Sequence, residues 1–208
     1  MNLLNKKIII IDNSSLSYTG EDIDGTVVRG TEASLILLAE QFVKIGIKVD
    51  YCNSISNPKK IKGVNYFHKN KIDKNYIYDL AIVSSDANEF YRVSSIKKDV
   101  FSNSNQPIEK FIRKKQLLPF LKFKPVLITL CDYQFQKRSF FTSFYGKKTI
   151  PITVDPKFLD IDIDTNHLPE RKVVYNIRSN RNLDKLIKIW CERIFPVNNQ
   201  FKLYITPN

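Results

Sequence analysis

An α/β fold, a Rossmann-like parallel sheet with helices on both faces, is the architecture that three stretches of this sequence predict. Lys7-Ile8-Ile9-Ile10-Ile11-Asp12 holds four consecutive Ile, the pattern of a strand buried on both faces. Arg29-Gly30-Thr31-Glu32 then leads into Leu35, Leu38, Ala39, Phe42 and Ile45, which recur at helical spacing until Gly46. Ile47-Lys48-Val49-Asp50-Tyr51 is a second strand, and the β-α-β unit so formed must cross over right-handed.

The elements follow in order. Before the helix, Gly30 reads as a tight turn; Thr31 is a candidate cap and Glu32 suits the positive end of the helix dipole. Val64-Asn65-Tyr66-Phe67-His68 is a short strand between lysine-rich loops, and residues 78–85 form a stronger one that ends in Ser84 and Ser85 and is followed by Asp86. Those polar residues can line a cleft or cap the next helix. Residues 99–103 read as a strand, residues 107–120 as a helix with Pro107 in its first turn, and residues 125–131 as a buried strand. The aromatics between Tyr133 and Tyr145 are expected in the core, although a mixture of Phe with Lys137 and Arg138 also suits base stacking. Residues 150–156 read as the last strand of a first domain.

After a linker candidate rich in Asp, the pattern restarts. Residues 173–177 and 201–205 read as strands, and Leu183, Leu186, Ile187, Trp190 and Ile194 form a helical stripe between them. The expected division is a Rossmann-like domain at 1–155, a linker at 156–170 and an incomplete β-α-β unit at 171–208.

Composition narrows the classes. A hydrophobic content of 43% with 14 Phe and 10 Tyr argues against disorder, and no apolar run has the length of a membrane span. A cytoplasmic location follows as the expectation. Cys52, Cys131 and Cys191 are odd in number and widely spaced, so they are expected to be buried thiols rather than a disulfide framework or zinc site. A net charge of +12 favours an anionic partner: nucleic acid, an acidic membrane face or a nucleotide diphosphate.

With both β-α-β units in view, the chain resembles glycosyltransferases of GT-B fold, in particular family 4, also called glycosyl transferase group 1. Arg29-Gly30-Thr31-Glu32, its helix and Gly46-Ile47-Lys48-Val49 are similar to the Gly-Gly-x-Glu loop, helix and Gly-His-x-Val strand that open the acceptor domain there. Tyr78-Asp79 resembles the start of the Tyr-Asp strand. Residues 150–158 resemble the Ile-Pro-Asn-Gly-Val-Asp-x-x-Phe segment between domains, and residues 175–186 the turn that opens the donor domain. The four motifs occur in the family's order over nearly the whole chain.

The resemblance implies transfer of a sugar from a nucleotide-diphosphate sugar to a glycan or lipid-linked acceptor, with no metal or other cofactor. A leaving diphosphate gathers negative charge, so fixed cations and backbone N–H groups must meet it. Arg178, Arg181 and Gly30 are the candidates for holding the diphosphate; Gly25, Thr31, Glu32, Ser84, Ser85 and Ser102 are the candidates for lining the cleft. The expected partners are the nucleotide sugar, the acceptor, an anionic membrane at its inner face, and a second copy or donor-domain partner; nucleic acid is disfavoured.

The sequence departs from the family pattern at two places. Ser102 stands where members carry a His, and Ser cannot replace imidazole as a base near neutral pH. No Glu-x(7)-Glu donor-binding stretch is present in the expected second unit, so the reading expects a shortened enzyme, inactive or dependent on a partner, or a non-catalytic assembly subunit derived from one. Asp160-Ile161-Asp162-Ile163-Asp164 contains Asp-x-Asp, a metal-binding pattern of the other large glycosyltransferase fold, but in the linker rather than at a buried strand end. Asp22-Ile23-Asp24 is a weaker instance.

Overall fold

The computed structural model describes residues 5–24, 28–103, 108–137, 140–151, 171–176 and 182–206. Two compact units make up the chain, Met1–Thr153 and Val154–Asn208. In chain order the first unit contains β1 (Lys7–Ile11), α1 (Gly30–Lys44), β2 (Lys48–Asn53), β3 (Lys59–Ile61), β4 (Val64–His68), β5 (Ile77–Ser84), β6 (Ser94–Ser102), α2 (Ile108–Arg113), α3 (Leu117–Phe123), β7 (Val126–Thr129), α4 (Asp132–Gln136) and β8 (Lys147–Thr149). The strands form one eight-stranded sheet in the order β3-β4-β2-β1-β5-β6-β7-β8. Every pairing is parallel except β3 with β4. The fold is therefore α/β with a mostly parallel, Rossmann-like sheet.

β1 is the axis of the sheet because its four Ile are buried on both sides. Ile8 and Ile10 pack with Leu35, Ile36 and Ala39 of α1, whereas Ile9 and Ile11 pack with Phe111 of α2 and Phe120 of α3. Burial of each such side chain contributes roughly 2 kcal/mol. Alternation along one strand thus divides the core into two layers, one on each face. Ile8 is in register with Val49 of β2 and Leu80 of β5, so β1 is flanked on both sides by parallel strands.

Several expectations require correction. The helix expected over 107–120 is two helices: Lys115 has φ +53°, and α3 starts at Leu117. Pro119 is the reason, since without an N–H it fits only a first turn, and a new helix start supplies one. Pro107 itself lies outside the described residues. The strand expected over 150–156 is β8, ending at Thr149; Ile150 N–H still reaches the Thr129 carbonyl at 2.9 Å, but Pro151 has no N–H to continue the pairing. Residues 152–156 and the expected linker, 156–170, lie outside the described residues. Cys52 is buried as expected, but Cys131 and Cys191 are exposed. Of the aromatics expected in the core, Tyr133 and Phe144 are exposed, and the Phe140 and Phe141 side chains lie outside what is described. Lys147 Nζ lies 3.9 Å from the Phe135 ring centroid, which makes that surface aromatic and basic.

The second unit contains β9 (Lys172–Tyr175), α5 (Leu183–Ile189) and β10 (Lys202–Ile205), with β9 and β10 parallel. The helix runs on as a wider turn through Trp190–Ile194, and Trp190 and Tyr175 are its buried anchors. Val174, Phe195 and Val197 are exposed.

Candidate functional site

Because the strands run in parallel, β1, β5 and β6 all end at one edge of the sheet. The chain leaves β1 for β2 on one side and later returns to place β5 on the other, so the sheet order reverses between β1 and β5. Ligands of open α/β sheets bind outside the strand ends at such a reversal. Across it, Asn13 Nδ2 donates to Asp86 Oδ2 at 3.2 Å, and Lys69 Nζ donates to Asn13 Oδ1 at 3.3 Å.

α1 begins beside this edge. Its N-cap is Arg29, in extended backbone, and makes no side-chain capping bond; Thr31 is the second residue of the helix rather than its cap. The first-turn N–H groups therefore have no side-chain cap. Gly30 is exposed, has no left-handed backbone, and an added Cβ would meet no atom within 4 Å. The expected tight glycine turn is absent: the helix simply starts there, facing open space. Asn103 Nδ2, just past β6, donates to Thr31 Oγ1 and so ties the helix start to the strand end.

The expected cleft residues are distributed unevenly. Ser84 and Ser102 are the last residues of β5 and β6, and both are buried. Ser85 has φ +57°; its N–H donates to the Phe101 carbonyl at 2.8 Å, and its carbonyl accepts from Gln116 Nε2 at 3.2 Å. Asp86 caps the following 3-10 turn by accepting from the Asn88 N–H at 3.0 Å, which is the capping role weighed for this segment. Thr31, Ser84, Ser85 and Ser102 thus gather at the adjoining ends of β5 and β6. Gly25, Arg178 and Arg181 lie outside the described residues, as do Asp160, Asp162, Asp164 and His167. His68 Nδ1 accepts from the Asn70 N–H at 3.1 Å and has a local structural role. Asp22 Oδ2 accepts from Thr19 N–H and Oγ1 at 2.7 and 3.1 Å, which closes a turn. Among the described residues, no group of three or more His, Cys, Asp or Glu could hold a metal ion.

A buried polar cluster at the same edge was not singled out from the sequence. Tyr18 Oη donates to Asp12 Oδ2 at 2.6 Å and lies 2.8 Å from Tyr51 Oη; all three residues are buried. Asn53 Nδ2 donates to the Tyr18 carbonyl at 2.7 Å, fixing that loop to the end of β2. Burial, together with the nearby Asp12 carboxylate, holds both tyrosine hydroxyls well above their ordinary pKa. Glu32 contributes to the same effect on Tyr51, so its carboxylate shares this neighbourhood. Glu32 is itself buried, and its Oε2 has no hydrogen-bond partner.

Asp50 provides the contrast. Equally buried, it is satisfied by Lys7 Nζ at 2.8 Å, Tyr78 Oη at 2.8 Å and Asn65 Nδ2 at 3.0 Å. Such a carboxylate is structural. A buried carboxylate with one oxygen left without a partner, in the first turn of an uncapped helix, is a binding candidate.

No protein-family model matches this chain, and no curated protein is significantly similar to it. The assignment of the site rests on its geometry.

A hollow of about 800 Å³ lies elsewhere in the first unit, lined by Lys6, Asp79, Lys97, Asp99 and Lys148 over an apolar floor that includes Leu80. It opens near the amino ends of β5 and β6, the wrong end for a ligand of a parallel sheet. Its carboxylates are already engaged: Lys6 Nζ is 2.6 Å from Asp79, and Lys148 Nζ is 3.7 Å from Asp99. The strand-end cluster is therefore the better site.

Proposed function

We propose that this chain is a glycosyltransferase-like protein whose first unit takes part in transferring a sugar from a nucleotide-diphosphate sugar to a glycan or lipid-linked acceptor. The observation that carries the reading is the uncapped start of α1, tied by Asn103 to the end of β6 and bearing the buried Glu32, whose Oε2 has no partner. Free N–H groups at a helix start suit phosphate oxygens, and the open space at Gly30 leaves room for the backbone to approach one. Glu32 suits sugar hydroxyls, which would donate to the oxygen that lacks a partner. Asp12, Tyr18 and Tyr51 hold the floor of the site rigid.

The reading is tested by equilibrium binding of a panel of uridine, guanosine and thymidine diphosphate sugars to the purified chain. Binding of at least one, weakened about tenfold by Glu32→Gln or Asn103→Ala, supports it. Lys148→Gln, which alters the hollow at the opposite end, is the control and should leave affinity unchanged. Absence of binding to every member of the panel overturns it.

A further inference from the structure

The β6–β7 connection carries a helical hairpin whose outer surface is apolar and basic together. Its inner side is anchored by Phe111 and Phe120, both buried, with rings in edge contact at 4.9 Å. Buried Gln116 between the helices donates to the Ser85 carbonyl. The outward residues are different: Ile112 is 64% exposed and Leu118 73%, and Ile108, Leu117 and Leu121 are exposed beside them. Ile108 and Ile112 are four residues apart on α2, as are Leu117 and Leu121 on α3, so each pair lies along one helix face.

Charge is concentrated in the same place. Residues 108–124 contain six basic side chains and one acidic, Glu109. Arg113, Lys114, Lys115, Lys122 and Lys124 are exposed and form no ion pair among the described residues. Lys122 Nζ lies 4.7 Å from the ring centroid of Tyr91, which is itself exposed and in edge contact with Phe123 at 4.8 Å. An interfacial tyrosine therefore borders the hairpin.

Exposed aliphatic side chains are unfavourable in water, and a nucleic-acid surface would use aromatic stacking rather than Ile and Leu. An anionic bilayer accommodates both features, with aliphatic groups entering the acyl boundary and lysines meeting lipid phosphates. Tyrosine belongs at the level between them. We propose that the α2–α3 hairpin is the surface by which this protein docks on an anionic lipid bilayer. No helix among the described residues is long and apolar enough to cross a membrane, so the contact is a surface one. This inference is independent of the sugar-nucleotide reading.

The test is sedimentation of the full chain with vesicles of phosphatidylcholine alone or of phosphatidylcholine and phosphatidylglycerol in equal parts. Binding is expected only to the anionic vesicles, falling as salt is added. The Ile112→Asp/Leu118→Asp and Lys114→Glu/Lys115→Glu variants should each lower partitioning about tenfold or more, with an unchanged thermal melt. If the double aspartate variant melts early, Leu118→Gln, a neutral change at the hairpin's most exposed apolar position, gives the same readout. Equal binding to neutral vesicles, or undiminished binding by both double variants, overturns the proposal. An oligodeoxythymidine that binds wild type and the Ile112→Asp/Leu118→Asp variant alike, without vesicle binding, overturns it in favour of nucleic acid.

Discussion

Tyr18 donates its hydroxyl proton to Asp12 at 2.6 Å, and neither side chain reaches solvent. The bond joins the residue that follows the central strand to the loop that leads toward α1. Removing the hydroxyl leaves a buried carboxylate short of a donor and strips Tyr51 of its partner. Tyr18→Phe is expected to lower unfolding free energy by about 2–3 kcal/mol, measured by urea denaturation. A loss below about 0.5 kcal/mol would show that the cluster does not hold the strand end.

Glu32 leads to the opposite expectation. A buried oxygen without a partner costs stability in the unliganded protein, so Glu32→Gln, which removes the charge at nearly constant shape, should leave the melting temperature unchanged or raise it. The same variant should weaken sugar-nucleotide binding. Destabilisation by about 1 kcal/mol or more would instead make Glu32 a structural acid like Asp50.

Much of this architecture was legible in the sequence, and the misses have physical causes. The four Ile of β1 and the stripe of α1 announced a buried parallel strand and its crossover helix, because periodicity reports burial directly. Strand β3 escaped because Lys59-Lys60-Ile61 has no alternation to detect; it is an exposed edge strand held by its partner. Arg29 rather than Thr31 proved to be the N-cap because a side-chain preference cannot locate where the backbone turns helical. The Asp12–Tyr18–Tyr51 cluster was hidden because its members come from a strand end, a loop and a second strand. Only the β1–β2 register brings them together.

The β3–β4 hairpin supplies a sharper test of backbone reasoning. Lys62 and Gly63 connect Ile61 to its partner Val64, with φ of +46° and +84°, the geometry of a two-residue hairpin turn. A Cβ on Gly63 would sit 2.5 Å from Val43 Cγ1 of α1. Gly63→Ala should therefore cost about 2–3 kcal/mol, combining left-handed strain with the clash. Adding Val43→Ala should recover the clash and leave the strain. If the single variant is as stable as wild type, the turn has another conformation.

Asp99 governs a pH effect at the hollow. Burial holds its carboxyl above the usual carboxylate range, and Lys148 at 3.7 Å offsets this only in part. A carboxyl that keeps its proton longer when folded contributes most stability in acid, below its unfolded pKa, and loses it as pH rises through the folded value. Asp99→Asn does not titrate, so its stability relative to wild type should improve between about pH 3 and about pH 7. Denaturation midpoints at both ends of that range measure the change. A constant difference between the two proteins would remove Asp99 from the account.

Gly30 separates a folding role from a binding one. Its backbone is not left-handed and its missing Cβ would touch nothing, so the fold places no demand on glycine there. Gly30→Ala should stabilise the free protein by about 0.5 kcal/mol, because alanine has less chain entropy to lose at a helix start. The added methyl would occupy the space through which the first turn of α1 reaches a phosphate. Sugar-nucleotide affinity should accordingly fall about tenfold, close to 1.4 kcal/mol, while the melting temperature rises. Calorimetric titration alongside thermal melts distinguishes the cases. A more stable variant with wild-type affinity would place the bound phosphate away from α1, whereas a less stable one would show that the helix begins with a turn that only glycine can make.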